Sequence, residues 1–193
     1  MAGQEAHAVA VIERNAVAQA RLIDDLLDLS RMITGKTRLT LEPADIGAIA
    51  AEALESVRPA AEAKRIALSL EAAPGIPSIT ADAQRLQQIF WNLLSNAVKF
   101  TEPGGTVVLS VRAGDRSVAA DVTDTGIGIR ADILPIVFDR FTQADSSSTR
   151  AHSGLGLGLS IVRYLVELHG GTVSAFSAGP GLGATFGFTL PRR

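Results

Sequence analysis

Cysteine is absent from the 193 residues, which excludes disulfides, thiol nucleophiles and cysteine-held metals together. Histidine is scarce, and His7, His152 and His169 stand too far apart in sequence to suggest a metal cluster. Neither sign of charge dominates: 18 Lys and Arg face 20 Asp and Glu, for a formal net charge of -2. That balance offers no polyanion-binding surface and argues against nucleic acid as a partner. No apolar run is long enough to cross a bilayer, and Met1-Ala2-Gly3-Gln4-Glu5 lacks the charged-then-apolar pattern of a signal peptide. The expectation is a soluble, cytoplasmic piece without direct membrane contact. What remains, at 47% hydrophobic residues, suffices for one domain with a core plus an appendage.

The appendage comes first. From about Glu5 to Ile33 there is no Gly or Pro, and Val9, Ile12, Ala16, Gln19, Ile23, Leu26, Ser30 and Ile33 recur at alternating steps of three and four. That spacing predicts a helix with a heptad seam, widened by Leu22, Leu27 and Leu29. Such a helix can pack on its own domain. Its length, about 29 residues at ~1.5 Å each, favours a bundle with a second copy, since the chain supplies no other helix of this kind. Gly35 ends it.

The domain that follows mixes strands and helices without regular alternation. Strands are expected at Thr37 to Leu41 (stopped by Pro43), Ile66 to Leu70, Ser78 to Thr80, Thr106 to Arg112, Ser117 to Asp124, Thr172 to Ser177 and Ala184 to Leu190. Ala113-Gly114-Asp115-Arg116 reads as a hairpin turn. Asp45 and Asp82 are placed to cap helices. The first helix carries Ile46, Ile49, Ala50, Ala53, Leu54 and Val57 on one face; the second carries Leu86, Ile89, Phe90, Leu93, Leu94 and Val98. A short helix is expected near Ala131 to Phe138, a polar loop from Thr142 to Ser153 and a further helix from about Leu157 to His169. The fold class is therefore α+β, with one mixed sheet and its helices on one face.

Three patterns carry chemistry. Asp124-Thr125-Gly126-Ile127-Gly128-Ile129 puts a carboxylate at a strand's end and then two glycines. Asp can accept a hydrogen bond from an exocyclic amine while a bare glycine edge admits a flat ring, although Asp-Thr-Gly is also ordinary turn chemistry. On the helix from Asp82, Gln88, Asn92, Asn96 and Lys99 form a polar stripe opposite the Leu and Ile face. A solvated stripe is one reading. The other is that Asn, a mediocre helix former, is there to offer an amide oxygen to Mg²⁺, with an ammonium one turn on for a phosphate. Gly154-Leu155-Gly156-Leu157-Gly158-Leu159-Ser160 gives a pliable loop ahead of a helix. Its N–H groups can wrap a phosphate, or its glycines can let the helix pack closely; beside the polar loop a lid is the better reading. Neither a P-loop nor a Rossmann fingerprint fits the context.

In order, Asn92-Leu-Leu-Ser-Asn96-Ala-Val-Lys99-Phe100, then Asp124-Thr-Gly126-Ile-Gly128-Ile, then Phe138-Asp-Arg-Phe141, then Gly154-Leu-Gly156-Leu-Gly158-Leu-Ser resemble the N, G1, F and G2 boxes of sensor histidine kinases. Gly183-Ala-Thr185-Phe186 fits that family too. The resemblance covers Thr37 to Arg193 and implies a two-layer α/β sandwich, the Bergerat ATP-binding fold of the GHKL superfamily. Ile23-Asp-Asp-Leu-Leu-Asp-Leu-Ser30-Arg31 looks like the second helix of the family's dimerisation and phosphotransfer hairpin. The implied organisation is residues 1–36 as that partial hairpin and 37–193 as the catalytic domain.

The resemblance implies ATP and Mg²⁺ as ligands. Asp124 would accept the adenine amine, with Thr185 and a water alongside. Asn96 would ligate Mg²⁺, Lys99 would contact phosphate, Asn92 would line the metal side and Phe100 would flank the sugar or base. Gly126, Gly128, Ile129, Gly154, Leu155, Gly156, Leu157 and Gly158 would shape the pocket and its lid. Phe138 and Phe141 read as hinge and core, His169 as a helix-end residue with a favourable dipole contact, and His152 as solvated. In related ATPases of the gyrase, Hsp90 and MutL type a Glu stands where Asn92 stands here, and an amide cannot act as a base. That departure favours phosphotransfer over hydrolysis. The family's phosphoaccepting histidine, with its acidic neighbour and later proline, is not found around His7, His152 or His169. The expectation is a piece of a longer sensor that passes the γ-phosphate of ATP to a histidine elsewhere and then to a response regulator, as a homodimer. A GHKL ATPase, a non-catalytic ATP-binding adaptor and a serine-kinase anti-sigma factor are the alternatives; the last would not carry the heptad helix.

Overall fold

The computed structural model describes residues 37–73, 75–142 and 156–192, with scattered positions between 19 and 34. It divides into two compact units, Met1–Thr37 and Arg38–Arg193. In the first, every described position from Gln19 to Thr34 is helical. Ile23, Leu26 and Leu27 are 58%, 50% and 51% exposed there, a row of large apolar side chains open to solvent. Val9, Ile12, Ala16, Leu22, Ile33 and Gly35 lie outside the described residues.

The second unit runs β1 (Glu42–Ala44), α1 (Ile46–Ala63), β2 (Ala67–Ala72), β3 (Ile79–Ala81), α2 (Ala83–Phe100), β4 (Thr106–Ala113), β5 (Ser117–Asp124), a 3-10 turn (Leu134–Ile136), α3 (Gly158–Leu168), β6 (Thr172–Phe176) and β7 (Ala184–Pro191). Five strands form a mixed sheet in the order β2-β4-β5-β7-β6. β2 and β4 are parallel and every other pair is antiparallel. The parallel pair needs a crossover, which β3 and α2 supply. The last strand, β7, lies inside the sheet rather than at its edge.

Side chains alternate in and out along β4 and β5. Val107, Leu109 and Val111 of β4 and Val118, Ala120 and Val122 of β5 are buried, while their neighbours are more open. The helices pack against this buried face, so the result is two layers around one core. Phe90 of α2 meets Phe188 of β7 edge-on, with ring centroids 5.3 Å apart. Truncating so buried an aromatic would cost about 3–5 kcal/mol.

Both anticipated caps are present. Asp45 Oδ1 accepts from the Ala48 N–H at 3.0 Å, and Asp82 Oδ1 from the Arg85 N–H at 3.1 Å. The apolar face of α2 is buried as its periodicity demands, and Gly114 N–H closes the β4–β5 hairpin on the Ser117 carbonyl at 2.8 Å.

Two expectations need correction. Thr37 to Leu41 is no strand, because the Thr40 N–H goes to the second carboxylate oxygen of Asp82 at 3.0 Å instead of to a neighbouring strand. The strand comes one step later, with Pro43 inside it. β1 pairs only with β3, in a two-stranded ribbon separate from the main sheet, so the missing proline N–H disturbs no second ladder. The segment Ala131 to Phe138 makes only a 3-10 turn, since Pro135 in its middle cannot donate to a helical ladder. His169 is the helix-end residue expected, at the C-cap of α3 with its ring against a carbonyl of the last turn. Its Nε2 accepts from the Asp82 N–H at 3.1 Å, which fixes the proton on Nδ1, where it reaches the Leu165 carbonyl at 2.7 Å.

Candidate functional site

Asp124 is the last residue of β5 and lies on the helix-facing side, 7% exposed. Its Oδ1 accepts from the Gly126 N–H at 2.8 Å. Burial pushes its carboxyl pKa up, and the N–H groups of Gly126 and Ala184 pull it partly back. Three backbone segments converge here. A Cβ on Gly126 would stand 2.4 Å from the Phe100 carbonyl oxygen, and one on Gly183, where φ is 68°, would stand 2.0 Å from that of Asp124. The glycines are therefore required by close approach, and they leave the carboxylate beside a flat backbone edge.

Asn92 and Asn96 project from α2 toward the start of α3. A Cβ on Gly158, the first residue of α3, would lie 3.2 Å from Asn92 Oδ1 and 4.0 Å from Asn96 Nδ2. Asn92 is only 5% exposed, and its Nδ2 has no hydrogen-bond partner. A buried amide with an idle donor costs about 1–3 kcal/mol, which an acceptor bound beside it would offset. One turn later the Lys99 ammonium sits 4.9 Å above the ring centroid of Phe100, and burial lowers its pKa. Gln88 does not continue the row: its Oε1 accepts from Arg85 on its own helix at 2.8 Å.

Of the second glycine run, Gly154 and Leu155 lie outside the described residues, as do His152 and positions 143–153 of the polar loop. Gly156, at φ 68°, accepts from the Phe141 N–H at 3.0 Å through its carbonyl, Leu157 is buried and Gly158 opens α3. Phe138 meets Phe186 of β7 edge-on at 6.0 Å, fixing the segment that leads into the polar loop, while Phe141 is 61% exposed.

Thr185 is not brought to Asp124. Strand pairing sets Ala184 opposite Asp124 and Thr185 opposite Thr123, and the two threonine hydroxyls lie 3.0 Å apart on the other face of the sheet. Ile129 is buried, and its N–H donates to Ser177 Oγ at 3.0 Å. Ser177, which sequence reasoning passed over, in turn donates to the Gly183 carbonyl at 2.6 Å. Gly181 N–H reaches the Ile127 carbonyl at 2.7 Å and Gly183 N–H that of Gly126 at 3.1 Å. The loop between β6 and β7 thus braces the first glycine loop, and the dense run Gly179-Pro180-Gly181-Leu182-Gly183 was the available signal.

The described residues contain no group of three or more His, Asp or Glu able to hold a metal ion, and none of their helices is long and apolar enough to cross a membrane. The site instead offers one desolvated carboxylate for an N–H donor, two neutral amides for a hard cation and one ammonium for an anion.

Comparison with known proteins gives the family. Residues 81–193 match the family model described as histidine kinase-, DNA gyrase B-, and HSP90-like ATPase. The chain is 38% identical over 211 residues to hybrid signal transduction histidine kinase D of Dictyostelium discoideum, covering 93% of this chain and 14% of that protein. It is 43% identical over 175 residues to circadian input-output histidine kinase CikA of Synechococcus elongatus, covering 89% of this chain and 23% of that protein. It thus spans less than a quarter of either curated relative. The crystal structure of full-length ShkA in complex with AMPPNP superposes with a TM-score of 0.82 at 34% identity, over 95% of this chain and 38% of that one. A matching family model over more than half of the residues, and a mixed sheet packed on helices around a glycine-edged carboxylate, have one reading: the chain belongs to the histidine kinase-, DNA gyrase B- and HSP90-like ATPase family.

Proposed function

We propose that this chain is the ATP-binding catalytic region of a sensor histidine kinase, which passes the γ-phosphate of ATP to a histidine of the full-length protein and from there to a response regulator. The observation that carries this is Asn92: a buried amide with a free Nδ2, beside Asn96, at the position where a hydrolase of the superfamily needs a carboxylate base. A site with a nucleotide cradle but no group to activate water is suited to handing its phosphate to a nucleophile on another segment.

In this reading Asp124 accepts the adenine amine, and Gly126 and Gly128 supply the bare backbone edge beside it, each held by close approach to another carbonyl, of Phe100 and Gly179 respectively. Asn96, with Asn92 behind it, would hold Mg²⁺ through amide oxygen and retained waters; the ion would supply positive charge to the phosphate oxygens. The neutral amides suit that role without any acidic cluster. Lys99 meets the phosphates, and recovery of its lowered pKa on meeting an anion would strengthen that contact. Ile129, Leu157 and Phe100 are walls, and Gly154, Leu155, Gly156 and Gly158 belong to the lid. Thr185 takes no part in the base contact, since its hydroxyl is engaged with Thr123. Residues 1–36 are read as the second helix of the phosphotransfer hairpin, through which two copies pair, in the cytoplasm.

Calorimetry with ATP and Mg²⁺ tests the first step, and radiolabelled ATP offered together with a separately supplied phosphoacceptor helix tests the second. Heat on titration and label on histidine are expected. A well-folded sample giving no heat at millimolar nucleotide, or label released only as inorganic phosphate, overturns the reading. For Asn96→Ala, nucleotide binding persists without metal while its Mg²⁺ dependence disappears.

A further inference from the structure

The far end of α2 is fixed by a residue that the family boxes do not contain. Lys64 directly follows α1, and its backbone carbonyl accepts from the Gly104 N–H at 3.1 Å. Its ammonium donates to three carbonyls at the C-terminus of α2: Val98 at 2.9 Å, Lys99 at 2.7 Å and Thr101 at 3.1 Å. All three protons of the ammonium are used. The neighbouring carbonyls are satisfied from elsewhere. Ala97 receives the N–H of Thr101 at 2.9 Å and its hydroxyl at 2.7 Å, and Phe100 receives the Ile127 N–H of the first glycine loop at 3.1 Å.

This last turn is the joint between the two halves of the site. On one side it carries Lys99 and, a turn earlier, Asn96. On the other, the Phe100 carbonyl anchors Ile127, and Gly126 is packed against that same oxygen, next to Asp124. A cation at a helix C-terminus also complements the axial dipole, in a part-buried setting where screening by water is weak.

We propose that Lys64 is a positioning residue for nucleotide binding: by clamping the Val98, Lys99 and Thr101 carbonyls it holds Lys99 and the Asp124 loop at one fixed spacing. Without it three carbonyls lose their partner, the turn frays, and the phosphate-side and base-side contacts lose register together. This rests on the nucleotide assignment made above, and the two can fail separately.

The test compares wild type, Lys64→Met, Lys64→Gln and Lys64→Arg by calorimetry with ATP·Mg²⁺ and with ADP, well below each melting temperature. Val118→Ala, a cavity at the far end of β5 from Asp124, serves as a control for destabilisation alone. Lys64→Met should bind both nucleotides about tenfold more weakly, as the loss of one charge-assisted clamp implies. Lys64→Arg should recover most of the affinity, Lys64→Gln should fall between, and Val118→Ala should bind like wild type. If Lys64→Met does not fold, the graded order of Arg, then Gln, remains the expected result. Wild-type binding with an unchanged constant in the folded Lys64 variants, or an equal loss in Val118→Ala, overturns the positioning role and leaves the nucleotide assignment standing. Failure of wild type to bind overturns that assignment first.

Discussion

The backbone N–H of Asp82 donates to Nε2 of His169 at 3.1 Å, joining the start of α2 to the end of α3 across 87 positions of sequence. Both residues are buried. His169→Leu is close to the imidazole in volume and removes both ring nitrogens, leaving the Asp82 N–H unpaired and the ring contact to the Leu165 carbonyl lost. The expected cost is about 1–3 kcal/mol, read as a lower urea midpoint. An unchanged midpoint would mean that water replaces the imidazole.

Asp124 should show a conflict between stability and binding. Its folded-state pKa is raised by burial, so its contribution to stability is fully present below the unfolded carboxylate value and is lost as pH rises through the folded one. At neutral pH the charge therefore opposes folding. Asp124→Asn retains an oxygen for the Gly126 N–H and carries no charge. Nucleotide-free, this variant should melt above wild type at pH 7, with the margin closing as pH falls through the carboxylate range. Its affinity for ATP should drop roughly ten- to hundredfold, the worth of a charge-assisted hydrogen bond of about 1.5–3 kcal/mol. A variant melting below wild type at pH 7 contradicts the sign.

Asn92 makes the same point from the other side of the site. Asn92→Leu replaces a buried donor without a partner by an apolar group of the same branching. The nucleotide-free protein should gain about 1 kcal/mol by denaturant titration, while Mg²⁺-dependent binding of ATP weakens. Loss of stability would show that Nδ2 has a partner in solution.

Two glycines with positive φ separate conformational strain from steric exclusion. Gly104, at 84°, has open space where a Cβ would go, whereas a Cβ on Gly183, at 68°, meets the Asp124 carbonyl oxygen at 2.0 Å. Gly104→Ala should cost about 1–2 kcal/mol and spare binding. Gly183→Ala adds overpacking of about 1–3 kcal/mol and pushes on the Asp124 backbone, so it should lose ATP binding as well. Equal effects at both sites would show that the backbone simply gives way.

What the sequence made legible was local. Asp45 and Asp82 were readable as caps because the bonds they make span three residues, and the buried face of α2 because its period is that of a helix. The glycines around Asp124 were readable as a tight edge from composition alone. Features decided by distant partners were not. Thr37 to Leu41 alternates like a strand, yet the Thr40 N–H is taken by Asp82, 42 residues away. The face on which Thr185 lies depends on the β5–β7 register, and a one-residue difference in pairing would have reversed it. Asn92 is legible as a polar residue facing a pocket, but its burial is not, because only the packing of α3 against α2 encloses it. Ser177 and Lys64 work through backbone carbonyls, which leave no side-chain pattern to read.

The position of β7 bears on how the protein is made. Of the strands of this sheet it is the last to be synthesised, yet it lies between β5 and β6 and supplies Ala184 opposite Asp124. Until it emerges, β6 has no neighbour in the sheet and β5 presents an open edge. A nascent chain therefore holds Asn96, Lys99 and Asp124 for some seconds, at about 5–20 residues per second, before it can grip a nucleotide. Stalled chains ending before Ala184 should gain no protease protection from ATP, whereas chains extended well beyond Pro191 should, so synthesis withholds the site until the sheet has its inner strand.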